Sequence, residues 1–323
     1  MELPCLILII LCVIAHAAGE CAVERNERWK SGHVIKQLMS MTISGNNVKS
    51  DANPLIALRL VRQNRPLKEV KIFQQLRRSV AIALYKGLPL ELEEAALDLM
   101  AFKAACQDPM DFYGHHKNVN LVKAVADKLL ATLGKSANAQ TPLFSDRGIA
   151  FGTLALCLEN YDFPQNALNQ LLQFNNYDQQ LNTVPTDTLS LAILASTCLE
   201  RRVRISVPHK TPGLESFLKS AVKKVLSQVH SSGIIGNLDS TAIAVQALVL
   251  NWRYYPKGAF DCMPSIHKLL HEITQKSFKN TLVASQVAMT LAGKTYMDIN
   301  KPACHPKVLL DENVTPDTLD VNV

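Results

Sequence analysis

Apolar residues recur along this chain every three or four positions, which is the period of an α-helix. In one class of segment they line a single face, and lysines and other polar residues fill the opposite face. Residues 120–132, 216–229 and 265–276 belong to this class. Each of these segments can bury one side and expose the other to water, so we expect a surface helix at each.

A second class of segment is apolar almost all round. Its members are residues 95–106, 148–158, 187–199, 240–250 and 280–291. They are too short to cross a membrane, so each is predicted to be a helix that is buried on every side. Three of them begin at a residue whose side chain can accept hydrogen bonds from the first backbone amides of a helix, namely Asp187, Ser240 and Asn280.

The buried helices return at intervals of roughly 40–55 residues, which is the period of a helical-hairpin repeat. Because buried and surface helices alternate, the chain is predicted to be all-α, an α/α toroid of about six helical hairpins. An open superhelix of the same hairpins is the competing architecture, and it requires polar caps at both ends. We expect one domain over residues 20–305 and an irregular tail over residues 306–323, where no helical pattern is present.

Residues 1–19 are interpreted as a secretory signal peptide. An unbroken apolar run occupies residues 6–14, which is too short to span a membrane, and small residues follow it at a position suited to cleavage. No later segment is long and apolar enough for a membrane helix. The sequence therefore predicts a secreted, extracellular protein without membrane insertion.

The composition supports a globular protein and argues against a nucleic-acid partner. Hydrophobic residues make up 48% of the chain, enough for a sizeable core. The formal net charge of +6 is dispersed in isolated pairs such as Arg77-Arg78 and Arg201-Arg202. Nucleic-acid sites concentrate positive charge and interleave it with aromatic residues, so no such site is expected.

Six cysteines follow the signal peptide: Cys21, Cys106, Cys157, Cys198, Cys262 and Cys304. An even number of cysteines in an exported chain predicts disulfides, and none of these pairs has the close spacing of a zinc or redox motif. Many pairings are compatible with the sequence, and spacing alone does not choose among them. Asn313 begins an N-glycosylation sequon, Asn313-Val314-Thr315.

In a ring of this kind the buried helices start near one mouth, where positive dipole ends and capping side chains meet. Such a mouth suits a polar ligand, and it also suits a glycosidase, which needs two carboxyl groups across a bond. Asp146, Asp187 and Asp239 lie near these helix starts, and Asp187 is the best candidate acid. The helix starts lack aromatic platforms for sugars, and the chain has no nucleophile elbow, HExxH motif or phosphate-binding glycine loop. We therefore expect neither catalysis nor a metal site.

Several short segments carry a resemblance to a known family. They are Leu156-Cys157-Leu158, Asp187-Thr188 followed by Thr197-Cys198-Leu199, Gly236-Asn237 followed by Ser240-Thr241, and Lys294-Thr295-Tyr296. In order, spacing and cysteine framework, the chain resembles the secreted cobalamin carriers, the family of transcobalamin, intrinsic factor and haptocorrin. The resemblance covers about residues 20–310. It implies a barrel of six hairpins and three disulfides, Cys21–Cys262, Cys106–Cys304 and Cys157–Cys198.

The resemblance also implies cobalamin as the bound ligand, held at the mouth of the barrel and not altered chemically. The side chains of a corrin ring are uncharged amides, so amides, hydroxyls and backbone groups are the expected partners. Asp187, Asn237 and Gln286 match family positions that contact the ligand. Each also suits a purely structural role: an N-cap for Asp187, a turn former for Asn237 and a satisfied core amide for Gln286.

The chain departs from the family pattern at other ligand positions. Glu94 stands where the family has a glutamine, and an ionised carboxylate accepts hydrogen bonds but cannot donate them. Residues 144–148, which include Ser145, replace a stretch rich in threonine, tyrosine and glutamine. We retain Glu94 and Ser145 as candidate contacts at these positions. Residues 182–186 contain no histidine to offer to the cobalt, which some family members lack as well.

In the family, a β-domain follows the barrel and closes over the ligand, and residues 301–323 show no sign of it. We therefore expect corrinoid binding of reduced affinity, or a lid supplied by a receptor or a second polypeptide. Losing half of the buried ligand surface would weaken binding by about 10³-fold. The alternative is a secreted interaction scaffold that has lost the ligand, for which the changes at Glu94 and residues 144–148 argue.

Overall fold

The computed structural model describes residues 21, 23, 28–44, 47–48, 50–61, 66–114, 117–136, 146–164, 166–167, 181–206 and 212–300. Its helices are α1 (Arg28–Thr42), α2 (Ala52–Val61), α3 (Pro66–Lys86), α4 (Leu92–Ala104), α5 (Leu121–Ser136), α6 (Arg147–Leu158), α7 (Thr186–Ser206), α8 (Pro212–Leu226), α9 (Leu238–Leu250), α10 (Met263–Thr274) and α11 (Thr281–Leu291). Two 3₁₀ segments follow α9 and α11, at Trp252–Tyr254 and Tyr296–Asn300. Short antiparallel hairpins join α1 to α2 (β1, Ile43–Ser44; β2, Asn47–Val48) and α4 to α5 (β3, Phe112–Gly114; β4, Lys117–Val119).

The ring of buried helices is closed. Helices α2, α4, α6, α7, α9 and α11 pack side by side in this order, and α11 packs against α2 to complete the circuit. The predicted α/α toroid is therefore confirmed. The open superhelix is wrong, because the first and last inner helices are in contact.

The remaining helices form an outer layer. Helix α3 lies against α2 and α4, α5 against α4 and α6, α8 against α7 and α9, and α10 against α9 and α11. Helix α1 packs on α11 and α2, where the ring closes. Helices α5, α8 and α10 are the three surface helices that the amphipathic pattern predicted. Each covers a seam between two inner helices, so its apolar face is buried.

Small side chains allow the inner helices to approach one another closely. Gly148 and Gly152 lie on the side of α6 that faces α4, and a Cβ atom at Gly152 would lie 3.0 Å from Cδ1 of Leu92. On α4, Ala95 and Ala96 are fully buried. A helix that is surrounded on all sides has no place for a polar stripe, which explains the uniformly apolar pattern of these segments.

Neighbouring inner helices run in the same direction. Arg147 contacts Asp187 where α6 and α7 start, and Cys157 is bonded to Cys198 eleven residues further along α7. The same order is seen in the ion pairs between α4 and α6, which are Glu93–Arg147 and Lys103–Glu159. The starts of the inner helices therefore gather at one end of the toroid. We call the first turns of α2, α4, α6, α7, α9 and α11, with the residues just before them, the mouth.

Side-chain caps fix where two of the inner helices begin. The Oδ1 atom of Asp146 accepts a hydrogen bond from the backbone N of Gly148 at 2.7 Å, at the start of α6. Asn280 caps α11 in the same way, and this cap was predicted. These side chains satisfy backbone amides that have no partner inside the helix.

Two other predicted caps are wrong. Helix α9 is capped by Asn237. Ser240 is the third residue of the helix, and its Oγ accepts a hydrogen bond from the backbone N of Asn237. Helix α7 begins at Thr186, so Asp187 lies inside its first turn and is not the residue that precedes it. The carboxylate of Asp187 is therefore not committed to capping.

Two of the three implied disulfides are confirmed, Cys21–Cys262 and Cys157–Cys198. Cys106 is also disulfide-bonded, and its predicted partner Cys304 lies outside the described residues. So do the signal peptide at 1–19, the tail at 306–323 and the sequon at Asn313. Within the ranges described above, no helix combines the length and the hydropathy that crossing a bilayer requires.

Candidate functional site

One arginine ties three inner helices together at the mouth. Arg147, the first residue of α6, donates from Nη2 to Oε1 of Glu93 on α4 at 2.6 Å. From Nη1 it donates to Oδ2 of Asp187 on α7 at 3.4 Å. The side chains of Arg147 and Asp187 are each 35% exposed and that of Glu93 is 34% exposed. The mouth thus carries charged pairs in addition to the neutral polar groups that the sequence predicted.

The start of α9 lies directly beside the start of α7. The loop before α9 passes so close to α7 that a Cβ atom on Gly236 would collide with the side chain of Thr186. The hydroxyl of Thr186 donates a hydrogen bond to Oε1 of Gln228 in the same loop. Asn237 follows immediately, and its Oδ1 accepts from the backbone N of Ser240 at 2.8 Å while the residue remains exposed. Asn237 is therefore held at the rim by its neighbours on both helices.

Gly236→Ala is expected to lower the free energy of unfolding by about 2–5 kcal/mol, since a left-handed backbone costs about 1–2 kcal/mol and an overpacked contact about 1–3 kcal/mol. The backbone φ angle of Gly236 is +70°. The added Cβ would meet Thr186 and would lie 3.0 Å from Oγ of Ser240. Thermal denaturation followed by circular dichroism measures the loss.

Gly258→Ala is the matched control for this substitution. Gly258 also has a positive φ angle, +81°, but nothing lies within 4 Å of the position that a Cβ atom would occupy. Its replacement should cost only the backbone strain, about 1–2 kcal/mol. Equal losses for the two variants would show that the contact between Gly236 and Thr186 does not constrain the mouth.

Below the rim, polar side chains line the inside of the ring. Gln286 on α11 is 4% exposed. Gln246 on α9 donates from Nε2 to Oγ1 of Thr290 at 3.0 Å, and its Oε1 accepts from the backbone N of Tyr296 at 3.2 Å. These contacts hold the segment after α11 against the inner wall.

Tyr296 lies within the ring itself. Its ring is fully buried and packs edge-on against Phe151 of α6, with centroids 5.9 Å apart. The 3₁₀ segment that it begins contacts α2, α4, α6 and α7. Burial raises the pKa of the Tyr296 hydroxyl, and the neighbouring Gln286 acts in the opposite direction. Gln286 and Tyr296 therefore share the interior beneath the mouth.

A buried carboxyl group lies one turn inside the mouth on α4. Asp98 is 6% exposed, and none of the hydrogen bonds and ion pairs seen among the described residues involves it. Burial, together with the charges of Glu94 and Asp51, raises the pKa of Asp98 to about 8. At neutral pH this group is therefore protonated, so that it can donate a hydrogen bond as well as accept one.

Four of the five candidate contacts lie among the described residues. Asp187 and Asn237 lie at the starts of the adjacent helices α7 and α9, which are in contact through Thr186 and Gly236. Glu94 is exposed in the first turn of α4, and Gln286 lies deeper in the wall of the ring. Ser145 lies outside the described residues.

Sequence reasoning did not single out Arg147, Asp98 or Tyr296 as site residues. The sequence did contain a signal that Arg147 and Asp98 are unusual. Arg147 places a cation at the start of a helix, where the dipole disfavours it. Asp98 places a carboxyl group inside a segment predicted to be buried on every side, where it costs free energy unless it is neutral or paired.

The mouth offers carboxylates, a guanidinium and an amide, which come from the starts of α4, α6, α7 and α9. Within the parts of the chain that the structure describes, no three His, Cys, Asp or Glu side chains are grouped so as to hold a metal ion. Many weak polar contacts around one concavity suit the binding of a large polar ligand. The fold defines an α/α toroid, and its mouth is the candidate site for such a ligand.

Comparison with known proteins identifies the family. The profile of the eukaryotic cobalamin-binding proteins matches residues 3–320, and the chain belongs to that family. It is 29% identical over 277 residues to Transcobalamin-1 of Homo sapiens, covering 83% of this chain and 62% of that protein. It is 26% identical over 314 residues to the cobalamin binding intrinsic factor of Mus musculus, covering 94% of this chain and 67% of that protein.

A solved structure agrees with these sequence relatives. The crystal structure of haptocorrin in complex with Cbi matches with a TM-score of 0.68 and 25% identity, covering 87% of this chain and 70% of that one. The predicted family and the predicted fold are both confirmed. The chain spans 62% of the human relative's length, so it corresponds to part of that protein.

Proposed function

We propose that this protein binds cobalamin or a related corrinoid at the mouth of the toroid and carries it without altering it chemically. The observation that supports this most is that the starts of α7 and α9, which carry Asp187 and Asn237, are in contact through Thr186 and Gly236, while Gln286 is buried in the wall of the same ring. A corrin ring is fringed by primary amides, each of which needs a donor and an acceptor. Asp187 accepts, whereas Asn237 and Gln286 do both.

Secretion is part of the same proposal. Disulfides persist in oxidising compartments, and Cys21–Cys262 and Cys157–Cys198 join distant parts of the chain. Carriers that work outside the cell meet the same conditions. Detection of the mature protein in the medium of expressing cells, with its N-terminus near residue 20, would test the export step and the cleavage of the signal peptide.

We propose a reduced affinity for this chain acting alone, and a lid polypeptide or receptor as its protein partner. Glu94 is exposed at the rim, and when ionised it accepts hydrogen bonds but does not donate them. A ligand held by the mouth alone would keep its other face in water, and covering that face would remove further surface from solvent. Adding a separately expressed β-domain of a relative should then tighten binding.

Titration of the purified secreted protein with cobalamin, followed by the absorbance of the corrin ring, tests the central claim. We expect a saturable spectral change. Asp187→Ala should weaken binding by about 10- to 100-fold, because a hydrogen bond to a charged group contributes about 1.5–3 kcal/mol. The control is Glu215→Gln, an exposed carboxylate in the first turn of the outer helix α8.

Absence of any saturable change at millimolar cobalamin, in a protein with its normal unfolding temperature, would reject the carrier function. That result would favour the second candidate, an interaction scaffold on the same fold. The observation that favours the scaffold is that Glu93, Arg147 and Asp187 pair with one another across the mouth. If Glu215→Gln weakened cobalamin binding as much as Asp187→Ala, a contact between the ligand and Asp187 would be contradicted.

A further inference from the structure

Arg147 occupies a position that is unfavourable for helix stability. It is the first residue of α6, where the partial positive charge of the helix dipole repels a cation. Asp146, the residue before it, already caps the helix. The guanidinium therefore does not help to start α6, and its place at the mouth calls for another role.

The two contacts of Arg147 differ in closeness. The hydrogen bond to Glu93 is 2.6 Å long, which is short even for a charge-assisted pair. The contact with Asp187 is 3.4 Å, well beyond the usual range of about 2.7–2.9 Å for such pairs. Glu93 thus anchors the guanidinium, while Asp187 is near it but only loosely bonded.

Both partners of the loose contact have hydrogen-bonding capacity left. A guanidinium has five N–H groups, and the two hydrogen bonds seen among the described residues use two of them. The carboxylate of Asp187 accepts one further contact, from the hydroxyl of Thr188 at 3.4 Å. Both side chains are about one-third exposed, at 35% each, so that a ligand can reach them.

We propose that Arg147 and Asp187 form a donor–acceptor pair that binds one primary amide at the edge of the ligand. The ligand C=O accepts from Nη1 of Arg147, and the ligand NH₂ donates to Oδ2 of Asp187. This inference rests on the proposed function and assigns to Arg147 a direct part in ligand specificity. Glu93 acts as the positioning residue, because it holds the guanidinium in place.

The pair selects an amide over a carboxylate at that position of the ligand. A ligand carboxylate could bind Arg147, but it could not donate to Asp187 and would be repelled by both Asp187 and Glu93. With two carboxylates and one cation, the local charge is negative. The protein should therefore favour a corrinoid with its amide intact over the same corrinoid hydrolysed to the acid at that side chain.

The test compares cobalamin with the set of its monocarboxylates, each carrying one propionamide hydrolysed to the acid. For each acid the measured quantity is the ratio of its dissociation constant to that of cobalamin. In the unmodified protein we expect one acid to show a ratio of about 10 or more, since one lost charge-assisted hydrogen bond is a factor of about 10–100. Arg147→Gln should raise that ratio, and Asp187→Asn should lower it towards one, because Arg147 can then pair with the ligand carboxylate.

Lys103→Gln provides the matched control. Lys103 and Glu159 form an ion pair of 3.1 Å between the same helices, α4 and α6, at the end of the barrel away from the mouth. Its loss should change stability without changing any ratio. A purely structural role for Arg147 would weaken all ligands equally, so that every ratio stays constant.

The outcomes separate this inference from the function on which it rests. Ratios that are the same in the unmodified protein, Arg147→Gln and Asp187→Asn for every acid would overturn the inference, even if cobalamin binds well. Failure of cobalamin to bind the unmodified protein would instead overturn the proposed function. Opposite changes of the ratio in the two mouth variants, for one acid only, would support the donor–acceptor pair.

Discussion

Removing the Cys21–Cys262 disulfide is expected to lower the free energy of unfolding by up to about 5 kcal/mol. The bond joins residues 241 positions apart. Constraining so long a loop removes much of the conformational entropy of the unfolded chain, by about 5 kcal/mol in the chain-entropy account. The measurement is denaturation of the Cys21→Ala, Cys262→Ala double variant in guanidinium chloride under non-reducing conditions.

The control is the Cys157→Ala, Cys198→Ala variant, which opens a loop with a sequence separation of only 41. The same account gives about 4 kcal/mol for that loop. A loss under about 2 kcal/mol for the longer loop would show that the unfolded chain is already compact near Cys21 and Cys262, and that the entropic account fails there.

Asp98→Asn is expected to stabilise the protein increasingly as the pH rises from about 4 to about 8. Burial raises the pKa of Asp98 from 3.8 to about 8. Between these values the unfolded chain has released the proton and the folded chain still holds it, so unfolding becomes more favourable with rising pH. The stability that the neutral carboxyl provides is complete below pH 3.8 and is lost as the pH approaches 8. One such group changes the free energy of unfolding by roughly 1.4 kcal/mol per pH unit.

Asparagine keeps the shape of the carboxyl group and has no such dependence. The difference in unfolding free energy between Asp98→Asn and the unmodified protein, measured at several pH values, should therefore grow with pH. Glu91→Gln, which removes an exposed carboxylate just before α4, separates this effect from the general loss of one negative charge. A difference that stays flat from pH 4.5 to pH 8.5 would mean that Asp98 is not buried as a neutral acid.

Two patterns in the sequence predicted the toroid: segments that are apolar all round, and their regular recurrence along the chain. Segments such as 240–250 are apolar on every face, which is unusual unless a helix is surrounded, and their regular recurrence required a repeating unit. The pattern favoured a closed ring but left an open superhelix as the competing architecture, and only the structure decides between the two. Closure depends on the packing of α11 against α2, more than 200 residues apart in sequence, and no local signal encodes such a contact.

Helix starts were predicted less well than helices. Ser240 was taken as the cap of its helix because it directly precedes an apolar run. In the structure Leu238 and Asp239 already belong to α9, and Asn237 caps it. A capping box contains two suitable polar residues three positions apart, so the sequence does not say which of them precedes the helix.

The sequence analysis did not predict the charged character of the mouth. The expectation of neutral hydrogen-bonding groups came from the chemistry of the ligand, and neither Arg147 nor Glu93 was considered as part of the site. The two residues are 54 positions apart in sequence, and their pairing depends on the parallel packing of α4 and α6. Asp187 was identified from the family resemblance, and only the structure reveals that a guanidinium lies beside it.

The closed ring has a consequence for synthesis on the ribosome. While the chain emerges from its N-terminus, helix α2 lacks its neighbour α11, because α11 is the last of the six inner helices in sequence and ends at Leu291. Every shorter nascent chain leaves an apolar strip of α2 uncovered, and such strips attract one another and chaperones. Almost the whole barrel must therefore be synthesised before α2, its first inner helix, can pack against α11.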